Sequence, residues 1–570
     1  MALLIHSEQQ NPNLPITHFH NPESLTLIPF LRQRFSEGPA CRILYFLDGP
    51  TLLNLRLVSK MTDDEHNLIK ELIGRKICFV VDGSEECNAG MITSYLNFRW
   101  QSLVFPETLN AGDAYLALQS AHLLVTKYKA FVQDLTISTV NVYLSPQTRR
   151  IIEPIFKQLD SLQVSLSTSD YNSLSMVLPY CESLRKLDLK GYTGINFMIL
   201  GLSQERLEKI FHKVEVLNLS ETGITAVVLC RLLVSCAPLI SLNLHKCTSI
   251  SNAMNQMTDE QVKQVFGQIE DLDLGETLIK AEALLRIAGS KPPLRALSLY
   301  ECRNVPGFYG IEEIFTNMKS LNLGHTGIGS RALISILASC QHLEQLFLTG
   351  CENVSKAIEG FAQKDNLPQV VQGLEALGLP NTNINEKAMS SLLLPCRSLH
   401  YLDVFACKSF PAVLANMTDE QIQSIFQHVW YLDVGDMPVF PAKDFERLLT
   451  RLTSLQILNL EGAKWITAFI KALDDETLGR LFGDLKGIYL SFSDISKEAL
   501  YKLLRACKSL KAVKILGTSS FTDLIADLDE ESIHALLGPI AKIVVREEDL
   551  SKESCEKLLK VLPSLEDKLW

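Results

Sequence analysis

Cysteine is the residue whose abundance and spacing could do chemistry in this sequence. The chain holds fourteen cysteines in 570 residues, and three pairs, Cys236/Cys247, Cys340/Cys351 and Cys396/Cys407, are separated by the same eleven positions. Thiolates ligate zinc, pair as disulfides or attack electrophiles. A zinc site needs ligands that converge on one point, commonly as short C-x-x-C pairs; these spacings provide no such convergence. A nucleophile needs a base beside it, and Cys87 and Cys555, which lie apart from the pairs, have no His and Asp context that marks one. His245, His325 and His400 stand singly. No phosphate-binding loop, dinucleotide-binding glycine run, G-x-S-x-G elbow or H-E-x-x-H pair occurs. The expectation is therefore no metal, no cofactor, no catalytic residue and no enzyme.

What positions the cysteines is a repeat. Cys181, Cys236, Cys340, Cys396 and Cys507 each stand three residues before an L-x-x-L-x-L segment, and Cys247, Cys302, Cys351 and Cys407 stand three residues after one. Thirteen such segments have middle aliphatic residues at 187, 217, 242, 272, 297, 321, 346, 377, 402, 432, 458, 488 and 513. The steps are mostly 30 and 25 in alternation, with one 24 where 30 is expected. Alternation makes a short strand whose leucines point one way and whose intervening residues point the other. One strand cannot bury its own apolar face, so such units must stack into a continuous core. The cysteines then read as small buried groups of that core. Weaker matches at 100–105, 132–137 and 159–164 keep the same phase.

Between strands the chain reads as helix. Met257–Phe266 (MTDEQVKQVF) and Met417–Phe426 (MTDEQIQSIF) are near copies, with weaker copies at 202–211 and 473–482. Thr258 with Gln261, and Thr418 with Gln421, fit a capping box. Val262, Val265 and Phe266 recur at helical spacing and are expected to pack inward.

Composition narrows the functions. Hydrophobic residues make up 47% of the chain and its net charge is −11. An acidic chain without a basic run is a poor partner for phosphates, so no nucleic acid is expected. No apolar run reaches the length of a membrane span, and the first fifteen residues lack the pattern of a secretory leader. The expected location is the cytoplasm, that of a host if the chain is made by a microbe and acts inside a eukaryotic cell.

The twelve residues Cys236–Cys247 (CAPLISLNLHKC) and Cys340–Cys351 (CQHLEQLFLTGC) resemble the cysteine-containing class of leucine-rich repeats, and the 30/25 alternation is similar to ribonuclease-inhibitor-like arrays. The resemblance spans roughly residues 130 to 545. The T-x-I motifs at Thr222, Thr326 and Thr382 form the other half of the repeating unit. It implies an α/β leucine-rich-repeat solenoid, a curved parallel sheet inside and helices outside, that binds a protein on its concave face.

Residues 31–80 carry a second resemblance. Ile43–Asp48 (ILYFLD), a D-G-P turn and Leu52–Lys60 (LLNLRLVSK) resemble an F-box, a small helical module that docks the Skp-type adaptor of a cullin–RING ubiquitin ligase. It implies adaptor binding through Ile43, Leu44, Phe46, Leu47, Leu52, Leu53, Leu55, Leu57 and Val58. The family's Leu-Pro opening and its tryptophan after V-S-K are absent. Leu52–Leu57 is itself L-x-x-L-x-L, so residues 31–80 also read as an N-terminal cap. The organisation is then a poorly ordered 1–30, this module or cap, and a solenoid with its C-terminal cap over 90–570.

The strand assignment also places candidate binding residues on the leucine-free face. They include Lys186, Asp188, Lys190, Ser241, Asn243, His245, Asp271, Asp273 and Gly275. Aromatics cluster further on, and the expected target-binding residues are Tyr300, Phe347, Tyr401, Asp403, Phe405, Tyr431 and Asp433, with Tyr489 beyond them. Exposed aromatics on a rigid sheet anchor interfaces because they bury area with few rotors. The aspartates favour a basic partner. Two functions follow: a receptor presenting a target to a ubiquitin ligase, or a stand-alone scaffold or inhibitor.

Overall fold

The computed structural model describes residues 156–562, with breaks at 158, 165–177, 237, 305–310 and 364–366, together with the backbone of three earlier strands. The chain divides into two compact units, Met1–Leu272 and Asp273–Trp570. In the first, β1 (Cys78–Val80), β2 (Ser102–Phe105), β3 (Asp134–Ile137), β4 (Ser161–Val164), β5 (Lys186–Asp188), β6 (Val216–Asn218) and β7 (Ser241–Asn243) pair in chain order, all parallel. The weak matches near 103, 135 and 162 are thus true strands. So is β1, at the end of the segment that the sequence reads as a helical module or cap. The strand β8 (Asp271–Asp273) falls at the division.

The second unit continues the pattern with β9 (Ala296–Ser298), β10 (Ser320–Asn322), β11 (Gln345–Phe347), β12 (Ala376–Gly378) and β13 (Tyr401–Asp403). It ends with β14 (Tyr431–Asp433), β15 (Ile457–Asn459), β16 (Gly487–Tyr489), β17 (Ala512–Lys514) and β18 (Lys542–Val544). Each pairs in parallel with the next, middle residue opposite middle residue, from Leu297 through Leu402 and Leu432 to Ile543. All thirteen middle residues of the sequence motif are buried, as are Leu162 and Ile543. Fully burying one such side chain contributes roughly 1.5–3 kcal/mol, and the ladder repeats that contribution at every strand.

The alternating step has a structural cause. Steps of 25 return through one helix, as in Ala226–Ser235 and Lys497–Ala506. Steps of 30 return through two, as in Ile250–Gln256 with Asp259–Phe266 and Phe410–Ala415 with Asp419–Phe426. The exceptional step of 24, from Leu297 to Leu321, carries among its described residues the 3-10 turn Glu312–Phe315 before its strand. Both expected capping boxes form: Thr258 and Thr418 accept from the backbone of Gln261 and Gln421, whose side chains accept in return. Ser203, Asp474 and Asp529 cap the equivalent helices.

The cysteines form hydrogen-bonded rungs. Thr222 Oγ1 and Cys247 Sγ both donate to the carbonyl of Leu219, at 2.8 and 2.9 Å. The arrangement recurs with Thr277 and Cys302 on Leu274, Thr326 and Cys351 on Leu323, and Thr382 and Cys407 on Leu379. Ser493 and Thr518 take the two places on Leu490. Each rung satisfies a buried carbonyl, which is costly to leave unpaired. Burial pushes the Cys407 thiol up to about 11, so it stays protonated and able to donate. At the next two such positions stand Met437 and Ala463, both buried. The core there is filled by Phe440, Phe445, Trp465 and Phe469, with ring centroids 4.8–6.2 Å apart.

Candidate protein-binding face

The face of the sheet turned away from the leucines is built from three residues per repeat: those flanking the middle leucine and the one after the last leucine. A side-chain turn fixes their geometry. Asp188, Asn218, Asn243, Asp273, Asn322, Asp403, Asp433 and Asn459 each accept from the backbone N–H two residues on, at 2.8–3.1 Å. This is the Asx-turn, in which a short carbonyl side chain mimics a backbone turn. It bends the chain out of the strand, and the residue two beyond the last leucine takes a left-handed conformation, as at Glu221, Glu276, His325 and Asp436.

These turns revise the reading of the aspartates. Asp433 was expected as an exposed acidic contact, and it is only 5% exposed. Its Oδ1 accepts from Gly435 N at 2.9 Å and its Oδ2 from Asn459 Nδ2 at 2.6 Å. Both oxygens serve the turn and the neighbouring strand before they can serve a partner. Asp403 is half-buried beside it, opposite in register, and its Oδ1 accepts from Phe405 N at 3.0 Å.

The aromatic residues do come together. Tyr401 and Tyr431 stack face to face, with centroids 4.4 Å apart and planes within 7°. Phe347 meets Tyr401 edge-on at 6.1 Å across Gly378. All three rings are half-buried. Trp430, which the sequence reading did not select, packs edge-on to Tyr431 at 6.0 Å and is 40% exposed.

Glycines make room for the rings. A Cβ on Gly378 would stand 2.6 Å from Phe347, one on Gly435 would stand 2.8 Å from Phe405, and one on Gly324 would stand 2.9 Å from Tyr300. Each ring therefore lies over the backbone of the following repeat. Tyr300 sits apart from the cluster, edge-on to His325 at 5.5 Å. Tyr489 is separated from Asp433 by Asn459 in register. The expected adaptor-binding residues, Ile43, Leu44, Phe46, Leu47, Leu52, Leu53, Leu55, Leu57 and Val58, lie outside the described residues.

Charge follows burial here. Asp433 is pushed up to about 7, first by burial and then by the neighbouring Asp403, while the bonds from Gly435 and Asn459 act in the opposite sense. Burial also raises Asp403 above the usual carboxylate range, and raises Tyr401 to about 12. Among the described residues no group of three or more His, Cys, Asp or Glu is placed to hold a metal ion. No helix there is long and apolar enough to cross a membrane.

A ladder of parallel three-residue strands, each returned through helix on one side and leucine-packed in register, is a leucine-rich-repeat array. No family model and no curated protein matches the sequence. Among solved structures, the chain is similar to an internalin, InlF, of Listeria monocytogenes, at 16% identity and a TM-score of 0.32 over 66% of this chain and 86% of that one. It is also similar to the leucine-rich repeat-containing protein LegL7 of Legionella pneumophila, at 14% identity and a TM-score of 0.31 over 53% of this chain and 93% of that one. The fold assignment rests on the chain's own register and burial.

Proposed function

We propose that this protein works by binding another protein on the leucine-free face of its second unit, without catalysis of its own. The observation that carries this reading is the set of half-buried rings at Phe347, Tyr401 and Tyr431, packed edge-on and face to face over a glycine-lined sheet. Rings held by their neighbours lose little freedom on binding, which is what makes aromatic anchors effective. Co-purification from eukaryotic cytosol, comparing the native chain with Phe347→Ala combined with Tyr431→Ala, tests it. Partners retained equally by both would refute the assignment of this face. All eleven described cysteines are free thiols, which supports a cytoplasmic setting, that of a host if the chain is a microbial effector.

The finer proposal is that residues 43–58 dock a Skp-type adaptor, so that the bound target is presented to a cullin–RING ubiquitin ligase. Its support is the run of apolar residues around the D-G-P turn. Pull-down with purified adaptor should capture the native chain, and Leu44→Asp combined with Leu55→Asp should abolish capture; no capture by the native chain would rule it out. One observation favours a stand-alone scaffold instead. The strand β1 pairs with β2 at the end of this segment, as a cap continuous with the array would. A chain starting near residue 90 should then melt markedly lower while losing no separate partner.

A further inference from the structure

The last three strands of the second unit carry charge of one sign. On each strand, take the residue that leads into it together with the three on its leucine-free face. For β13 to β15 these include Asp403, Asp433 and Glu461 and no lysine or arginine; for β16 to β18 they include Lys486, Lys511, Lys514, Lys542 and Arg546 and no carboxylate. Earlier in the array a cation in the lead position is answered across the coils, Arg185 by Asp160 and Glu215 and Lys319 by Glu344. Lys514 and Arg546 are likewise answered, by Glu461 and Glu548. Lys486, Lys511 and Lys542 are exposed, and among the described residues they have no salt bridge. In a chain of net charge −11, this is a local reversal of sign.

A second observation falls on the same strands. Phe492, in the turn after β16, is 49% exposed and has a left-handed backbone, with a φ of 56°. That conformation is unfavourable for a bulky side chain. At the equivalent turns of the other described repeats the residue is glycine, alanine, or polar or charged, as at Glu221, Asn381 and Asp436. The turn therefore does not need a ring. The Phe492 ring lies over Gly517, where a Cβ would stand 2.5 Å from it, and the Arg546 guanidinium lies 5.7 Å from its centroid. An aromatic side chain is thus held in the open, in a strained turn, beside cations. We propose that β16 to β18 bind an acidic segment of a partner protein, with an apolar side chain of that segment covering Phe492 and its carboxylates pairing with Lys486, Lys511 and Lys542.

This rests on the protein-binding reading above and adds the chemistry of the partner. Lys486 and Phe492 are six residues apart, so an extended segment of about that length laid along the strand reaches both. Aromatic rings at the centre and charges at the rim are the usual division of an interface: the ring holds the partner, and the charges steer and select it. The overall acidity of the chain favours a short acidic segment over a long polyanion such as nucleic acid.

The test uses the full chain and three capped, fluorescently labelled peptides, read by anisotropy at physiological salt: glutamates flanking one leucine, glutamines flanking the same leucine, and glutamates alone. The first should bind tightest, the third more weakly and the second not measurably. Phe492→Asn suits the left-handed turn, as Asn381 does in its own repeat. It should melt no lower than the native chain yet weaken the first peptide by about tenfold, the scale of a lost interface anchor. Lys511→Gln combined with Lys542→Gln should weaken it about fivefold, the scale of two exposed ion pairs. A chain with Lys356→Gln and Lys443→Gln, which removes the same charge from helix surfaces, should bind as the native chain does. Absence of binding by the native chain, or equal weakening by both lysine variants, overturns the proposal. So does a Phe492→Asn chain that melts lower and binds unchanged, since the ring then only covers Gly517. Displacement of the peptide by oligothymidylate at equal concentration also overturns it, by marking a general anion site. Co-purification separates this patch from the ring cluster: a partner lost with Phe347→Ala and Tyr431→Ala but kept with Phe492→Asn refutes the patch alone, and the converse refutes the ring cluster alone.

Discussion

Asp433→Asn should change the sign of its effect on stability with pH. The carboxyl is displaced from an ordinary value near 3.9 to about 7 in the folded chain. Because the folded value is the higher one, the contribution is fully favourable below about pH 4, declines as pH rises and is wholly lost above about pH 7. A displacement of roughly three powers of ten costs the ionised folded state about 4 kcal/mol relative to the protonated one. Groups facing the carboxyl set this balance: Asp403 and Glu461 raise it, and Gly435 N and the Asn459 amide lower it. Asparagine removes the charge and keeps the oxygen that accepts from Gly435, as Asn459 does for Glu461. It forfeits the bond from Asn459 Nδ2, worth about 1–2 kcal/mol. The variant should therefore be less stable than the native chain by about 1 kcal/mol at pH 4.5 and more stable by about 2 kcal/mol at pH 8. Urea unfolding of both chains across that range, monitored by circular dichroism, measures the difference. Parallel curves, with one offset at every pH, would refute the inference that a strained carboxylate lies on this face.

Three further pairs of substitutions separate features of the fold. Cys407→Thr should be nearly neutral, because Thr518 already donates to a leucine carbonyl from the equivalent place, whereas Cys407→Val should lose about 0.5–1.5 kcal/mol by removing one donor from the Leu379 carbonyl, which keeps the bond from Thr382; thermal melts compare them. Gly435→Ala should destabilise by about 1–3 kcal/mol, since its Cβ would stand 2.7 Å from the backbone oxygen of Glu461, while a Cβ on Gly378 would stand 2.6 Å from the Phe347 ring, a side chain that can yield more than backbone, so Gly378→Ala should destabilise less. Thr418→Ala should cost about 1 kcal/mol by removing a helix cap and Thr418→Ser should recover most of it, again read in urea.

The sequence and the structure agree wherever a side chain's period is its role. The leucines at 187 through 458 could be placed from spacing alone because a strand that misses its register exposes all of them. Thr258 and Thr418 were legible because capping is local. The cysteines were recognised as buried, but their partner was not, since the Leu219 and Leu379 carbonyls lie 28 residues away. Asp433 misled for a related reason. Alternation puts it on the leucine-free face, as found, yet whether that face is wet at a given strand depends on Tyr431 of the same strand and on Tyr401 and Asn459 from the neighbouring repeats. Trp430 went unselected because it precedes its strand, where the period assigns no direction. The strand Cys78–Val80 carries only three residues of pattern, too few to separate from its surroundings.

The thiol rungs bear on how the chain can be made. A sulfur that donates to a leucine carbonyl must still carry its hydrogen, so an oxidant that reaches it before folding removes the rung and leaves a blocked group where the interior has no room. Once the coils have closed over them, the same sulfurs are shielded from that attack. Synthesis in a reducing compartment, followed by rapid closure, yields a molecule that tolerates later oxidation; the reverse order yields a kinetic trap.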